Sequence, residues 1–173
     1  NNKVIFFTYY TLFHQAFMVS EFYLKGTQRF GLNINAKTGF LLYGFSDSDW
    51  AGFRDTRRST GGLCTFLGSN IISWSAKRHP TVSRSSTEAE YRTLSLTATE
   101  LKWLASLLGE MGISLPDTPE LFCDNLSAVY LTANPAMHNR SKHFDTDFHY
   151  VRERVALGAL VVSHVPAVLQ LAD

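Results

Sequence analysis

Cysteine is scarce: two in 173 residues, Cys64 and Cys123. That is too few for a disulfide framework, and nothing around them has the ligand spacing of a zinc knuckle. Each sits in a short β-favouring run, Leu63-Cys64-Thr65-Phe66-Leu67 and Leu121-Phe122-Cys123, so both read as buried free thiols suited to a reducing interior. Charge of one sign is lacking as well. Sixteen Lys and Arg against 15 Asp and Glu leave a net charge of +1. A globally basic nucleic-acid coat is thereby excluded, and any such contact must come from local patches. Long apolar runs are missing too. Residues 4–19 are apolar and aromatic, but Thr8, Thr11, His14 and Gln15 interrupt them, too short and broken a stretch for a membrane span. A single Lys3 and no small-residue cleavage pattern argue against a signal peptide. No glycine-rich phosphate loop is present, and no serine or cysteine is paired with a histidine as a nucleophile.

What is there suits one compact domain: 45% apolar and 18% charged residues. The first residue is Asn1 rather than Met, so we expect a piece of a longer polypeptide. Residues 1–23 read as helix or strand, with Phe6, Tyr10, Phe13, Phe17 and Val19 near a helical period. Phe30-Gly31-Leu32-Asn33-Ile34 reads as a short edge strand. Three strands follow at 40–46, 62–67 and 71–75, joined by connections too short for parallel pairing, hence an antiparallel meander. The period then changes. Glu90, Leu94, Thr97, Leu101, Leu104 and Leu108 predict a helix of about 25 residues, capped by Ser86 or Thr87 and closed at Gly112.

Pro116 and Pro119 bracket a loop before the strand Glu120-Leu121-Phe122-Cys123. A long helix between strands implies a crossover, which places this strand parallel to the first. A short helix from Asn125, another over 142–157 with Phe144, Phe148, Val151 and Val155 inward, and a last strand at 159–165 complete the order β-β-β-α-β-α-α-β. Asp173 is expected in the first turn of one more helix. The fold class is α/β, a five-stranded mixed sheet with helices on both faces.

The acids carry the chemistry. Asp47 and Asp49 follow the apolar run Leu41-Leu42-Tyr43-Gly44-Phe45, and Asp124 ends the strand placed beside it. Glu90 lies in the first turn of the long helix, and Asp173 arrives from the other side. Converging carboxylates raise one another's pKa unless a cation neutralises them. Oxygen ligands without histidine or thiolate suit Mg²⁺ or Mn²⁺ rather than zinc. The plain alternative is that each acid caps a turn or a helix, as Asp124 could.

Several motifs together resemble a known family: Ser46-Asp47-Ser48-Asp49-Trp50-Ala51-Gly52, Arg57-Arg58-Ser59-Thr60-Gly61-Gly62, Ser73-Trp74, Val82-Ser83-Arg84-Ser85-Ser86-Thr87-Glu88-Ala89-Glu90-Tyr91-Arg92, Cys123-Asp124-Asn125 and Arg140-Ser141-Lys142-His143. They are similar to the ribonuclease H domain of Ty1/copia-type retrotransposon polyproteins. Tyr23-Leu24-Lys25-Gly26-Thr27 resembles the junction to the reverse transcriptase part. The resemblance covers roughly residues 22–173.

It implies a ribonuclease H-like fold and hydrolysis of RNA in RNA·DNA hybrids during reverse transcription. Asp47, Glu90, Asp124 and Asp173 are then the catalytic acids, holding Mg²⁺ or Mn²⁺ as a pair of ions. Asp49 would stand behind those ligands, and Glu88, about 200° round the helix from Glu90, should face solvent. Partners would be the hybrid and the reverse transcriptase portion of the same polyprotein, with no membrane. The setting would be the cytoplasm, virus-like particles or the nucleus. Residues 1–28 would be a leader or a remnant of the preceding reverse transcriptase or connection region. Residues 29–173 would be the ribonuclease H-like domain, cut short in its C-terminal helix.

Nucleic-acid contacts are expected at two kinds of group. Arg57, Arg58, Lys77, Arg78, Arg84, Arg140 and Lys142 would meet phosphate, and Ser85, Ser86, Thr87 and Asn125 could sense the 2′-hydroxyl. A solvated basic surface and ordinary helix caps are the plain alternatives. A zinc site on His143, Asp147 and His149 is disfavoured because His149 leaves the face that the other two share. Two rivals remain: a decayed or co-opted copy that binds without cutting, and a sugar-kinase or actin-like module. The second should show a repeated domain and phosphate loops, and this sequence has neither.

Overall fold

The computed structural model describes residues 25, 31–134 and 145–173. Apart from Lys25, the expected leader 1–28 with its helix or strand, and Arg140, Lys142, His143 and Phe144, lie outside the described residues. The chain divides into two units, Asn1–Asn33 and Ile34–Asp173, and the fold below is that of the second.

Five strands form one sheet in the order β3-β2-β1-β4-β5. These are β1 (Leu42–Asp49), β2 (Thr60–Leu67), β3 (Asn70–Arg78), β4 (Glu120–Cys123) and β5 (Val161–His164). β1, β2 and β3 pair antiparallel, and β4 joins β1 in parallel and β5 in turn. Between them run α1 (Ser86–Glu110), α2 (Leu126–Ala133) and α3 (Asp145–Ala156). The expected topology is the observed one.

The cap of helix α1 is Ser85, one residue before the first of the two expected caps. Ser85 Oγ accepts from Glu88 N–H at 3.1 Å, and the Glu88 carboxylate accepts from Arg84 N–H at 2.9 Å. The first bond satisfies a donor that the first turn leaves orphaned, and the second ties the chain before the cap to the helix. Glu88 also holds Arg92 at 2.7 Å. It is therefore half-buried rather than solvent-facing, a correction to the sequence reading. At the other end Gly112 takes φ +78°, and Ile113 N–H donates to Leu108 C=O at 2.9 Å, which closes the helix where glycine was expected to.

The period of α1 decides what lies inside. Tyr91, Leu94, Ala98, Leu101 and Leu104 pack with Leu42, Leu121 and Cys123 of the sheet, and with Ala128, Phe148 and Val151 of the other helices. The opposite face carries Tyr43, Phe45, Phe66 and Phe122, with Phe45 and Phe122 stacked at 5.1 Å. Ala172, in the segment after a short 3-10 helix at Ala167–Leu169, packs against this second cluster. Among the described residues, no helix is long and apolar enough to cross a membrane.

Three local expectations are overturned. Residues 31–34 form no strand among the described residues, and Leu32 and Ile34 are exposed. β3 continues to Arg78, since its backbone pairs with β2 as far as Thr60, so Lys77 and Arg78 stand on a strand and not in the following loop. Asp173 is not helical: Pro166 sets an extended start, and one 3-10 turn is followed by irregular chain.

Leu101, with no exposed surface, and Leu96, 54% exposed, share α1. Leu101→Ala should cost about 3 kcal/mol in denaturant unfolding. Leu96→Ala should stay within about 0.5 kcal/mol of the parent. Equal effects would mean that the buried face is misassigned.

Candidate metal centre

Side chains alternate along β1. Leu42 joins the α1 side, while Tyr43 and Phe45 join the opposite cluster, so Asp47 emerges on the latter face. In β4, Leu121 and Cys123 face α1 and Phe122 faces away. The parallel register sets Ser46 beside Cys123, so Asp47 and Asp124 leave neighbouring strands at one level. Both acids mark the same rim for a reason of register alone.

Glu90 reaches that rim from α1. It is 5% exposed, and its Oε1 accepts from Ser48 N–H at 3.1 Å. Its Oε2 lies 3.9 Å from the Cys123 thiol, which donates to it. Burial, then the charges of Asp47 and Asp124, push Glu90 from its ordinary 4.5 up to about 8, and the Ser48 and Cys123 hydrogen bonds only partly oppose this. Asp47 is raised as well, first by burial and then by Asp124 and Asp173. Glu90, Cys123 and Asp124 each offer a ligand atom, all within 4.8 Å of one another.

The four expected acids are thus electrostatically one group. Asp173 reaches it through a close approach that only glycine permits. Gly62 pairs with Asp47, and a Cβ there would run into the Ala172 carbonyl. Gln170 Nε2 donates to Ser46 C=O at 3.0 Å and ties the same segment down. Asp49 behaves differently. It is exposed, and its carboxylate accepts from Thr60 N–H across the β1–β2 ladder. Its charge adds only the smallest of the raising influences on Asp47.

Two contacts escaped the sequence reading. Cys123 was taken for inert core, yet it touches Glu90, and its place directly before Asp124 was the available signal. Burial pushes its thiol up to about 12. His164, ending β5, has Nε2 3.1 Å from Asp124 C=O, a contact that needs the β4–β5 register to be foreseen.

The expected nucleic-acid groups are spread more widely. Arg57 and Arg58 are exposed before β2, Lys77 and Arg78 are exposed at the end of β3, and Arg84 is exposed just before α1. The Arg78 guanidinium lies 3.5 Å from the centre of the Phe53 ring. Ser85 and Asn125 cap α1 and α2, and Asn125 Oδ1 accepts from Ala128 N–H at 3.0 Å. Ser86 is exposed and Thr87 half-buried in the first turn of α1.

The donor chemistry fits a hard divalent cation: clustered carboxyl groups, two of which, Asp47 and Glu90, are held toward the protonated form by burial and by neighbouring carboxylates. Cys123 is the one donor foreign to such an ion. The arrangement is a candidate site for a divalent cation.

The raised Glu90 has a consequence for stability without metal. A carboxyl that keeps its proton to about pH 8 when folded, but loses it near 4.5 when unfolded, stabilises the fold most below pH 4.5. That contribution is lost as pH rises through 8. In EDTA, Tm should therefore fall more steeply from pH 5 to 8 in the parent than in Glu90→Gln. Parallel curves would contradict the assignment.

No family model matches the chain. It is 47% identical over 151 residues to the retrovirus-related Pol polyprotein from transposon RE1 of Arabidopsis thaliana, covering 87% of this chain and 10% of that one. The chain therefore spans about a tenth of the length of that polyprotein. Among solved structures it is similar to LC11-RNase H1 in complex with an RNA/DNA hybrid, with a TM-score of 0.56 and 14% identity over 75% of this chain and 88% of that one. It is also similar to the foamy viral protease-reverse transcriptase in complex with an RNA/DNA hybrid, with a TM-score of 0.53 and 10% identity over 83% of this chain and 21% of that one. Those two likenesses show the fold alone. Sequence and fold together make the chain a retrotransposon Pol polyprotein region with a ribonuclease H-like fold, consistent with the ribonuclease H domains of Ty1/copia-type elements.

Proposed function

We propose that this chain hydrolyses the RNA strand of RNA·DNA hybrids during reverse transcription, as the ribonuclease H portion of a retroelement polyprotein. The observation that carries the reading is the crowding of Asp47, Glu90 and Asp124, with Asp173 close enough to raise Asp47, at one rim of this fold. These four residues would hold divalent metal, Mg²⁺ or Mn²⁺, as two ions. Bound there, the metal supplies an activated water and neutralises charge on the leaving oxygen.

The chain's own groups do the rest. Glu90, anchored by Ser48 N–H, gives up its raised proton when a cation joins the cluster. Arg57, Arg58, Lys77, Arg78 and Arg84 form exposed cationic points that phosphates can meet, and such contacts position rather than select. Selection of RNA falls to groups near the rim. Asn125 spends its amide oxygen on the α2 cap, which leaves its NH₂ to donate to a 2′-hydroxyl. Ser85 accepts in its own cap and retains its O–H as a donor, with Ser86 and Thr87 beside it. Arg140 and Lys142 would join the phosphate contacts, and Asp49 would stabilise the β1 end behind the ligands.

The hybrid seen with LC11-RNase H1 and with the foamy viral protease-reverse transcriptase suits this substrate, and the latter suits a reverse transcriptase partner in the same polypeptide. Residues 1–28 then belong to the junction with that partner, and 29–173 to the nuclease. The work would take place in the cytoplasm, in virus-like particles or in the nucleus.

Labelled RNA·DNA hybrid, single-stranded RNA and duplex DNA, each with Mg²⁺ or EDTA, test the reading. We expect Mg²⁺-dependent cleavage of the hybrid's RNA alone, lowered at least ~100-fold by Asp47→Asn. Binding of hybrid without cleavage would assign the chain to a non-catalytic role instead.

A further inference from the structure

The connection between β1 and β2 carries an exposed aromatic ring that metal-dependent cleavage does not use. Trp50 is 52% exposed, and its Nε1–H donates to Ser83 C=O at 3.1 Å. Charge gathers around it. Six of the 16 Lys and Arg, but only Asp55 of the 15 acids, lie in residues 50–84, so this stretch carries +5 and the rest of the chain −4. Arg54, Arg57, Arg58, Lys77, Arg78 and Arg84 are all exposed. We propose that Trp50 and these cations form a binding site for single-stranded nucleic acid, an unpaired base stacking on the indole while its phosphates meet the cations.

The loop is built to hold its shape. Ala51 and Arg57 take φ of +56° and +53°, left-handed for residues that carry a Cβ. Hydrogen bonds offset that cost: Ala51 N–H donates to Ser59 Oγ at 3.0 Å, and Arg57 N–H to Phe53 C=O at 2.8 Å. Phe53 N–H closes the loop on Arg58 C=O at 3.3 Å. The Arg78 guanidinium, 3.5 Å from the Phe53 ring centre, ties the end of β3 to the loop and covers that ring. Trp50 is left as the loop's exposed aromatic.

An indole fixed by its own N–H loses little freedom when a base stacks on it, and every base has a π-face. Phosphates are drawn to the +5 stretch and repelled by the remainder, so the strand has one favourable place to lie. Trp50 directly follows Asp49, the last residue of β1, so the site adjoins the acid rim. The inference rests on the nucleic-acid role proposed above and adds an unpaired strand to it, such as one that flanks the hybrid.

Binding of an oligothymidylate of about 12 nucleotides, in EDTA at low salt, tests the inference. Tryptophan fluorescence should be quenched on titration. Trp50→Ala should remove the quench and weaken binding ~10-fold, read independently by anisotropy of a labelled oligonucleotide. Trp50→Phe, which keeps a ring but lacks the N–H to Ser83, should retain most of the affinity. Trp74→Ala and Trp103→Ala, each removing another exposed indole, should retain both the quench and the affinity. Blunt RNA·DNA hybrid, whose bases are already stacked, should bind Trp50→Ala within about 2-fold of the parent. No binding of the oligonucleotide, a quench or an affinity unchanged in Trp50→Ala, or a loss in Trp50→Phe as large as in Trp50→Ala would overturn the proposal. So would an equal loss toward blunt hybrid. No cleavage is read in EDTA, so failure here is separate from failure of the nuclease reading.

Discussion

The structure depends on one hydrogen bond, from the backbone N–H of Ser48 to the buried carboxylate of Glu90. It joins the second turn of α1 to the end of β1, residues 42 apart in sequence. A buried carboxyl in apolar surroundings is unfavourable unless something holds it, and the N–H supplies one hold. The contact also sets where α1 lies along the sheet. With Glu90 pinned at the rim, the apolar stripe from Leu94 to Leu108 falls on the α1 face of the sheet. Core packing and acid placement are consequences of the same register.

The other acids arrive by different routes that converge for separate physical reasons. Asp47 and Asp124 share a level because β1 and β4 run parallel in a fixed register. Asp173 depends on tail contacts: Gly62 lets the Ala172 carbonyl approach, and Gln170 holds the Ser46 carbonyl. The result is a cluster whose charges oppose one another at a half-buried edge. Such an arrangement is poor for stability and useful for binding a cation, a trade that functional sites commonly make.

Much of this was legible in the residues. The long period-3.6 stripe identifies α1, and the crossover it implies places β4 beside β1, as observed. What could not be read came from backbone pairing or side-chain competition. Lys77 and Arg78 look like a loop, yet β2 extends far enough to pair with them. Ser85, Ser86 and Thr87 are equally good caps in composition, and the cap is Ser85, which accepts from Glu88 N–H while the Glu88 carboxylate accepts from Arg84 N–H. Phe30 to Ile34 has the pattern of a strand, but its described part forms none. Cys123 looked like core and is core; its second role appears only once Glu90 is seen against it.

The central claim is that the acids at the rim share charge and await a common cation. Calorimetric titration with Mg²⁺ near pH 7, repeated in buffers of different ionisation enthalpy, tests it most directly because it counts protons released on binding. With Glu90 raised to about 8, binding should expel a substantial fraction of one proton per chain at that pH, and Glu90→Gln should remove that release. Mg²⁺ binding with no proton exchange, or an exchange unchanged in Glu90→Gln, would contradict the account.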